Sequence, residues 1–200
     1  NNGKSHWKTP AKWMYYHLLD ADWASNALSW QWVAGTNSNK KYIANQENIN
    51  KYFHSNQQYT FLDKSYDEIA EMKCPDVLKS SSYPKLITDL PPAQDLKIDS
   101  SLPTFIYNEY NLDPKWRKET EGNRILLLDP KKFSELPMSP LTIEFLINLG
   151  KNIPSLQIYT GSYSQMRKTY QMDVIYYKEH PLNIDLSLIH ISEPTRPSKI

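Results

Sequence analysis

The chain has 200 residues, which is enough for one large domain or two small ones. Its 23 Lys and Arg nearly balance 22 Asp and Glu, so contact with nucleic acid requires a local patch of charge. A single cysteine, Cys74, excludes an internal disulfide and a cysteine-based metal cluster, and it suits a reducing cytoplasm. The sequence has no apolar run near the ~20 residues of a membrane helix and no signal-peptide pattern at its start.

Tryptophan is concentrated at the start of the chain. Five of the six tryptophans fall within the first 32 residues, namely Trp7, Trp13, Trp23, Trp30 and Trp32. A Trp-rich core or interface is one interpretation, because each indole buries a large apolar area. The chain also starts at Asn1 rather than Met and runs directly into helical sequence, which indicates a fragment of a longer protein.

Residues 7–35 predict two helices. Thr9 followed by Pro10 is typical of an N-cap and a first helical residue. A break follows, and a second helix is predicted over about 23–34, with Gly35 as its C-terminal stop. The polar residues 36–60 are interpreted as a long ordered loop with a short helical turn near 47–51.

Ser65 and Glu68 form a capping-box pattern, which predicts a short helix over about 66–73. Pro75 then ends the helical domain, predicted as residues 1–74. Four prolines and a serine run indicate that the next segment, residues 75–101, is a linker or wraps over a surface.

Strand and helix patterns alternate after this segment. Short apolar runs predict strands, and Ser139-Pro140 marks the start of an apolar helix. This alternation predicts a small parallel α/β unit over residues 102–186. Its predicted strands cover 104–107, 124–129, 156–159 and 174–177, and its predicted helices cover 141–149 and 162–170.

The last stretch, residues 187–200, resembles translated sequencing-adapter read-through. We predict that it is a non-native tail and exclude it from functional interpretation.

The most informative string is residues 17–35, His-Leu-Leu-Asp-Ala-Asp-Trp-Ala-Ser-Asn-Ala-Leu-Ser-Trp-Gln-Trp-Val-Ala-Gly. It resembles the FAD-binding core of DNA photolyases and cryptochromes, whose pattern is Asp-Gly/Ala-Asp, then Asn, then Trp-x-Trp. The Asp-Ala-Asp-Trp variant is particularly similar to six-four photolyases and animal cryptochromes. Trp7 lies thirteen residues before Asp20, at the spacing of an electron-relay tryptophan in that family.

The resemblance implies a mixed α and α/β fold, in which an all-α piece of a photolyase FAD-binding domain precedes the α/β unit. It implies FAD as cofactor, damaged DNA as partner, and light-driven electron transfer that repairs pyrimidine dimers. A cryptochrome-like photoreceptor without repair activity is the alternative. A third hypothesis is that these 200 residues alone bind neither FAD nor DNA.

Asn26 and Trp30 are four residues apart, so they share one helix face. The resemblance places the Asn26 amide at flavin N5, where an amide can donate or accept a hydrogen bond. An ordinary polar helix residue is the alternative interpretation of Asn26. The resemblance also makes Trp30 and Trp7 members of an electron relay, whereas core packing of large rings is the structural alternative.

Trp32 lies about 200° around the helix from Trp30. The resemblance assigns it to stacking on a flipped-out pyrimidine lesion, and a surface or second-core tryptophan is the alternative. Asp20, Ala21 and Asp22 resemble the segment that contacts the FAD. Asp22 also precedes an apolar helix, so it is equally a good N-cap.

The sequence departs from the family in two places. Residues 41–51 replace the usual photolyase string, which puts repair activity in doubt; Lys40, Lys41 and Lys51 could contact phosphates or lie in a solvated loop. The α/β unit follows the flavin segment instead of preceding it. We also predict an exposed apolar patch over residues 7–34.

Overall fold

The structure is a computed structural model that describes residues 6–36, 42–80, 82–180 and 192–193. The chain forms two compact units, Asn1–Leu86 and Ile87–Ile200. The first is helical and the second contains a parallel sheet, so the predicted mixed α and α/β fold class is confirmed. The boundary between the units falls inside the predicted linker, while the predicted domain limits themselves stay a prediction.

Four helices form the described part of the first unit: α1 (Lys8–His17), α2 (Trp23–Ala34), α3 (Gln46–Phe53) and α4 (Tyr66–Glu71). Helices α1 and α2 pack against each other as a hairpin. Tyr15 is buried at this contact and meets the Trp23 ring edge to face, with 5.5 Å between the ring centroids. Such an aromatic pair stabilises a helix contact beyond its buried area alone.

Helix α1 begins earlier than predicted. Thr9 is not the N-cap but the second residue of the helix, and the capping position is held by Trp7 without a side-chain hydrogen bond. Pro10 did not fix the helix start, because a proline is tolerated throughout a first turn whose N–H groups lack partners anyway.

Helix α2 has the predicted limits. The Asp22 side chain caps its first turn, and Gly35 ends it in the left-handed region at φ 73°. Glycine adopts this conformation without the steric cost that a Cβ atom would impose.

Helix α3 falls at the helical turn predicted near 47–51 and extends it to Gln46–Phe53. Asn45 caps it, and Gln46, which is 3 % exposed, donates its amide N–H to the Asn50 side chain at 3.1 Å. Asn50 in turn accepts from Ser55 Oγ at 2.8 Å and donates to the Gln57 carbonyl at 2.8 Å. Polar residues therefore stabilise this helix by bonding the chain that follows it, which hydrophobic periodicity does not reveal.

Helix α4 carries the predicted capping box, since Ser65 and Glu68 exchange side-chain and backbone hydrogen bonds. It ends at Glu71, two residues before the predicted limit. A single 3-10 turn at Asp76–Leu78 follows, and residues 82–103 contain no helix or strand.

In the described residues of the second unit, five parallel strands form a sheet of order β3-β2-β1-β4-β5. Helices α5, α6 and α7 lie between its strands along the chain. The bounds are β1 Thr104–Tyr107, β2 Asn123–Leu128, α5 Pro130–Glu135, α6 Pro140–Gly150, β3 Leu156–Thr160, α7 Tyr163–Thr169, β4 Ile175–Lys178 and β5 Ser192–Glu193. The predicted parallel α/β unit is therefore confirmed.

Helix α5 was not predicted. Asp129 caps it by accepting from the Lys131 N–H, and Pro130 is its first residue. The signal was present in the Asp-Pro pair, but six residues are too few to show a helical period.

The short strand β5 lies within the predicted non-native tail. Ser192 and Glu193 pair with Tyr177 and Lys178 of β4. The other residues of that tail lie outside the described part of the chain, and its non-native origin stays a prediction.

Residues 87–101, hereafter the wrapping segment, bind along the α/β unit. Leu96 is buried in the core of this unit, and its N–H donates to Tyr170 Oη at 3.0 Å. Lys97 and Gln157 exchange two hydrogen bonds of 2.7 and 2.8 Å. Backbone groups without strand partners are thereby satisfied, and the segment is a surface-wrapping element rather than a free linker.

Among the described residues, no helix is both long and apolar enough to cross a membrane.

Arg124 is buried on β2, at 8 % exposure, and its guanidinium bonds neutral oxygens. It donates to Tyr107 Oη at 2.7 Å, to the Arg117 carbonyl at 2.6 Å and to the Thr120 carbonyl at 3.0 Å. The same group lies over the Phe105 ring, 4.9 Å from its centroid. Arg124 therefore fixes the chain between β1 and β2.

We expect Arg124→Met to lower the free energy of unfolding by about 2–4 kcal/mol, because it leaves two carbonyls in the β1–β2 connection without a donor. Urea unfolding followed by circular dichroism measures the change. Lys168→Met on the exposed side of α7 is the matched control. Equal stability of the two variants would contradict the structural role.

Tyr163 lies at the start of α7, is 7 % exposed, and belongs to the core cluster of the second unit. Burial raises the pKa of its phenol to about 12, because the phenolate loses hydration; Arg167 opposes the shift. The folded chain therefore holds this proton at pH values where the unfolded chain releases it.

The contribution of Tyr163 to stability is complete below about pH 10 and is lost as the pH rises towards about 12, up to about 2 kcal/mol. We expect Tyr163→Phe to flatten this alkaline decline, whereas Tyr83→Phe, at an 81 % exposed position, leaves it unchanged. Urea unfolding between about pH 9 and pH 11.5 measures both. An identical decline in the two variants would refute the assignment.

Candidate functional site

The α1–α2 hairpin brings most of the predicted site residues onto one short stretch of chain. Asp20, Ala21 and Asp22 occupy the connection between the helices, and Asn26 and Trp30 follow on successive turns of α2. Asp20 is exposed, whereas the other four are half-buried. The first residue of α2 therefore separates the connection that carries Asp20, Ala21 and Asp22 from the helix that carries Asn26 and Trp30.

Asp22 sets that beginning. Its Oδ1 accepts from the Ser25 N–H at 2.7 Å, the capping bond of α2. Its backbone carbonyl accepts from both the backbone N–H of Asn26, at 3.0 Å, and the Asn26 side-chain amide, at 2.9 Å. The capping interpretation of Asp22 is thus confirmed, and it leaves the second carboxylate oxygen for another role.

The Asn26 side chain is oriented by its hydrogen bond to the Asp22 backbone carbonyl. One amide hydrogen points back to Asp22, while no described residue bonds the amide oxygen. Trp30 stands one turn further along the helix, at the same side. An amide that can still donate and accept, next to an indole, presents a polar group beside an aromatic surface.

Helix α2 is at least partly exposed to solvent at every residue. None of its twelve residues is buried, and Leu28 and Trp32 are 58 % and 50 % exposed. Trp13 on α1 is 49 % exposed. The predicted exposed apolar patch over residues 7–34 is confirmed, and such a patch is typical of a surface that binds a ligand or partner.

Trp7 is half-buried at the capping position of α1. Its ring lies next to His6, at 6.0 Å between centroids, and Lys8 Nζ lies 6.0 Å from it. No ring contact joins Trp7 to Trp30 in the described part of the chain. The electron-relay role of the two stays a prediction.

Trp32 is exposed, as its proposed stacking role requires. The Tyr42 ring stacks on the Trp32 indole, with 4.1 Å between the ring centroids and 30° between the ring planes. The Tyr42 N–H also donates to the Val33 carbonyl at 3.1 Å. Sequence reasoning missed Tyr42, since it lies in a polar stretch with no periodic signal and ten residues from its partner.

Three lysines were predicted as possible phosphate contacts, and Lys51 is the one that lies among the described residues. Lys40 and Lys41 lie outside the described residues. Lys51 is exposed in the last turn of α3, with its Nζ 5.5 Å from the centre of the Tyr52 ring. This is the geometry of a solvent-accessible cation held over an aromatic face.

These groups fit one end of a flavin. An isoalloxazine has a flat aromatic face and a polar edge, and α2 offers the half-buried Trp30 indole beside the Asn26 amide. The free oxygen of Asp22 and the exposed Asp20 add acceptors for hydroxyl groups. Asn26, Trp30 and the 20–22 connection are therefore the residues that would hold the cofactor.

Comparison with known families agrees with this chemistry. Residues 4–99 match the family described as the FAD binding domain of DNA photolyase. The matched residues are therefore similar to the FAD-binding domain of the photolyase/cryptochrome family, and the predicted resemblance and the predicted cofactor are confirmed.

No curated protein and no solved structure matched the chain.

We expect Asp22→Ala to lower the stability of the first unit by about 1 kcal/mol, because α2 loses its cap, whereas Asp22→Asn keeps the cap and most of the stability. Thermal unfolding followed by far-ultraviolet circular dichroism measures both. If Asp22→Asn keeps the stability of the wild type but does not bind FAD, the charge of Asp22 contributes to FAD binding independently of its capping role. Equal loss of stability in both variants would contradict the capping role.

Proposed function

We propose that this chain is the flavin- and lesion-binding part of a DNA photolyase-like lyase that repairs pyrimidine dimers under blue light. The observation that supports it best is the layout of α2. Asn26 and Trp30 share one face of the helix, while Trp32, about 200° further round, is half exposed. One helix thus offers a surface for the cofactor and a separate surface for a base.

When bound, FAD supplies the light-absorbing electron donor whose electron opens the dimer and then returns. The residues of the chain position and support this chemistry. Asn26 donates to or accepts from the polar edge of the flavin, and the 20–22 connection binds its hydroxyl-bearing chain. Trp30 and Trp7 pass electrons towards the flavin.

Trp32 receives the lesion. A dimer must leave the DNA stack to reach the cofactor, and an exposed indole stacks on any base through its π-face. Damaged DNA is accordingly the proposed partner. The near-neutral charge of the chain means that this stacking, with local cations such as Lys51, carries the recognition. We place the protein in the cytoplasm, in keeping with its single cysteine.

A cryptochrome-like photoreceptor without repair activity is the second candidate. It is favoured by residues 41–51, which depart from the usual photolyase string and fold in part as α3 with its own Asn45 cap. In that case Trp7 and Trp30 would support photoreduction that changes a partner-binding surface.

The test uses protein expressed from the longest reading frame that contains these residues, purified with its flavin. We expect blue light to restore an oligonucleotide that carries one pyrimidine dimer. We expect Trp30→Phe and Trp7→Phe to slow flavin photoreduction, since phenylalanine is much harder to oxidise than indole. Flavin absorbance and dimer content measure the two reactions.

Trp13→Phe is the matched control for the relay, because Trp13 lies on the same hairpin and is 49 % exposed. Normal photoreduction without repair would overturn the lyase proposal and support the photoreceptor. Photoreduction equally slow in the Trp13 control would overturn the relay assignment.

A further inference from the structure

We infer that Tyr42 is a positioning residue for base stacking, which holds the Trp32 indole in one orientation and leaves one of its faces for the base. This inference rests on the proposed function, because it requires that a base stacks on Trp32. It adds a residue that lies outside the Trp-x-Trp motif.

Tyr42 contacts the end of α2 through its ring and through its backbone. The ring centroids of Tyr42 and Trp32 are 4.1 Å apart, and their planes differ by 30°. The Tyr42 backbone donates to the Val33 carbonyl, so Tyr42 is tied to the last turn of α2, directly beside Trp32. Both the ring and the backbone of Tyr42 therefore contact the last turn of α2.

The exposure of the two rings shows where a base can enter. Trp32 remains 50 % exposed and Tyr42 45 % exposed, although each covers part of the other. Because Tyr42 stacks on one face of the indole, a base would stack on the opposite face. A single base can stack there, which extends the pair to three layers.

Pre-organisation is the physical benefit. An exposed tryptophan samples several rotamers, and a base that stacks on it must fix one of them. If Tyr42 has already fixed that rotamer, binding avoids a cost equivalent to roughly two- to ten-fold in affinity. Removal of the Tyr42 ring should reinstate this cost without removing the indole itself.

The experiment measures, in the dark, the dissociation constants of the flavin-loaded protein for an oligonucleotide with one pyrimidine dimer and for the undamaged oligonucleotide. We expect Tyr42→Ala to weaken dimer binding roughly two- to ten-fold and to leave undamaged binding unchanged. Tyr42→Phe should retain wild-type affinity, because it keeps the ring. Tyr59→Ala, at a 92 % exposed position, is the control for loss of a surface tyrosine.

A double-mutant cycle tests whether Tyr42 acts through Trp32. Trp32→Ala should weaken dimer binding roughly five- to hundred-fold, and Tyr42→Ala should cause no further loss in that background. Further loss there, or an unchanged affinity of Tyr42→Ala alone, would overturn the inference. The same urea midpoint for both single variants excludes general unfolding.

The two levels of failure are distinguishable. If Trp32→Ala binds the dimer as tightly as the wild type, the lesion-stacking role within the proposed function fails, and the inference fails with it. If Trp32→Ala weakens binding while Tyr42→Ala does not, the inference alone fails.

Discussion

The capping bond between Asp22 and the Ser25 N–H governs the candidate site, because it fixes where α2 begins and so the direction of every side chain on it. The same residue orients the Asn26 amide through its carbonyl. Asp22 thus both caps α2 and orients the Asn26 amide, so one residue contributes to helix stability and to the geometry of the candidate site.

Elements with local signals were predictable from the sequence. Helix α2 and the start of α4 follow from caps within four residues of their first turns, and the strands follow from short apolar runs. The errors arise where local signals are ambiguous or absent. Pro10 fits several positions of a first turn, so it misplaced the start of α1. Helix α3 was predicted as a shorter turn, because the bonds from Asn50 to residues five to seven positions later are not encoded in a short pattern.

The candidate site divides in the same way. Asn26, Trp30 and Trp32 lie on one helix, so their spacing alone gave their relative directions. Tyr42 could not be found in this manner, because it is ten residues from Trp32 and lies outside α2, so no helical spacing relates the two rings. The predicted relay between Trp7 and Trp30 would depend on how α1 and α2 pack, which is tertiary information. The sequence therefore indicated the relative positions of the residues on α2, but not which residues outside α2 lie next to them.

The wrapping segment has a consequence for how such proteins exchange modules in evolution. The photolyase-type match extends to residue 99, whereas the compact α/β unit begins at Ile87. A gene fusion cut at the end of the match would carry Leu96 away from its core and separate Asp99 from Asn123, with which it shares two hydrogen bonds of 2.9 Å. The family match and the compact α/β unit therefore overlap over residues 87–99, so the end of the match is not a structural boundary.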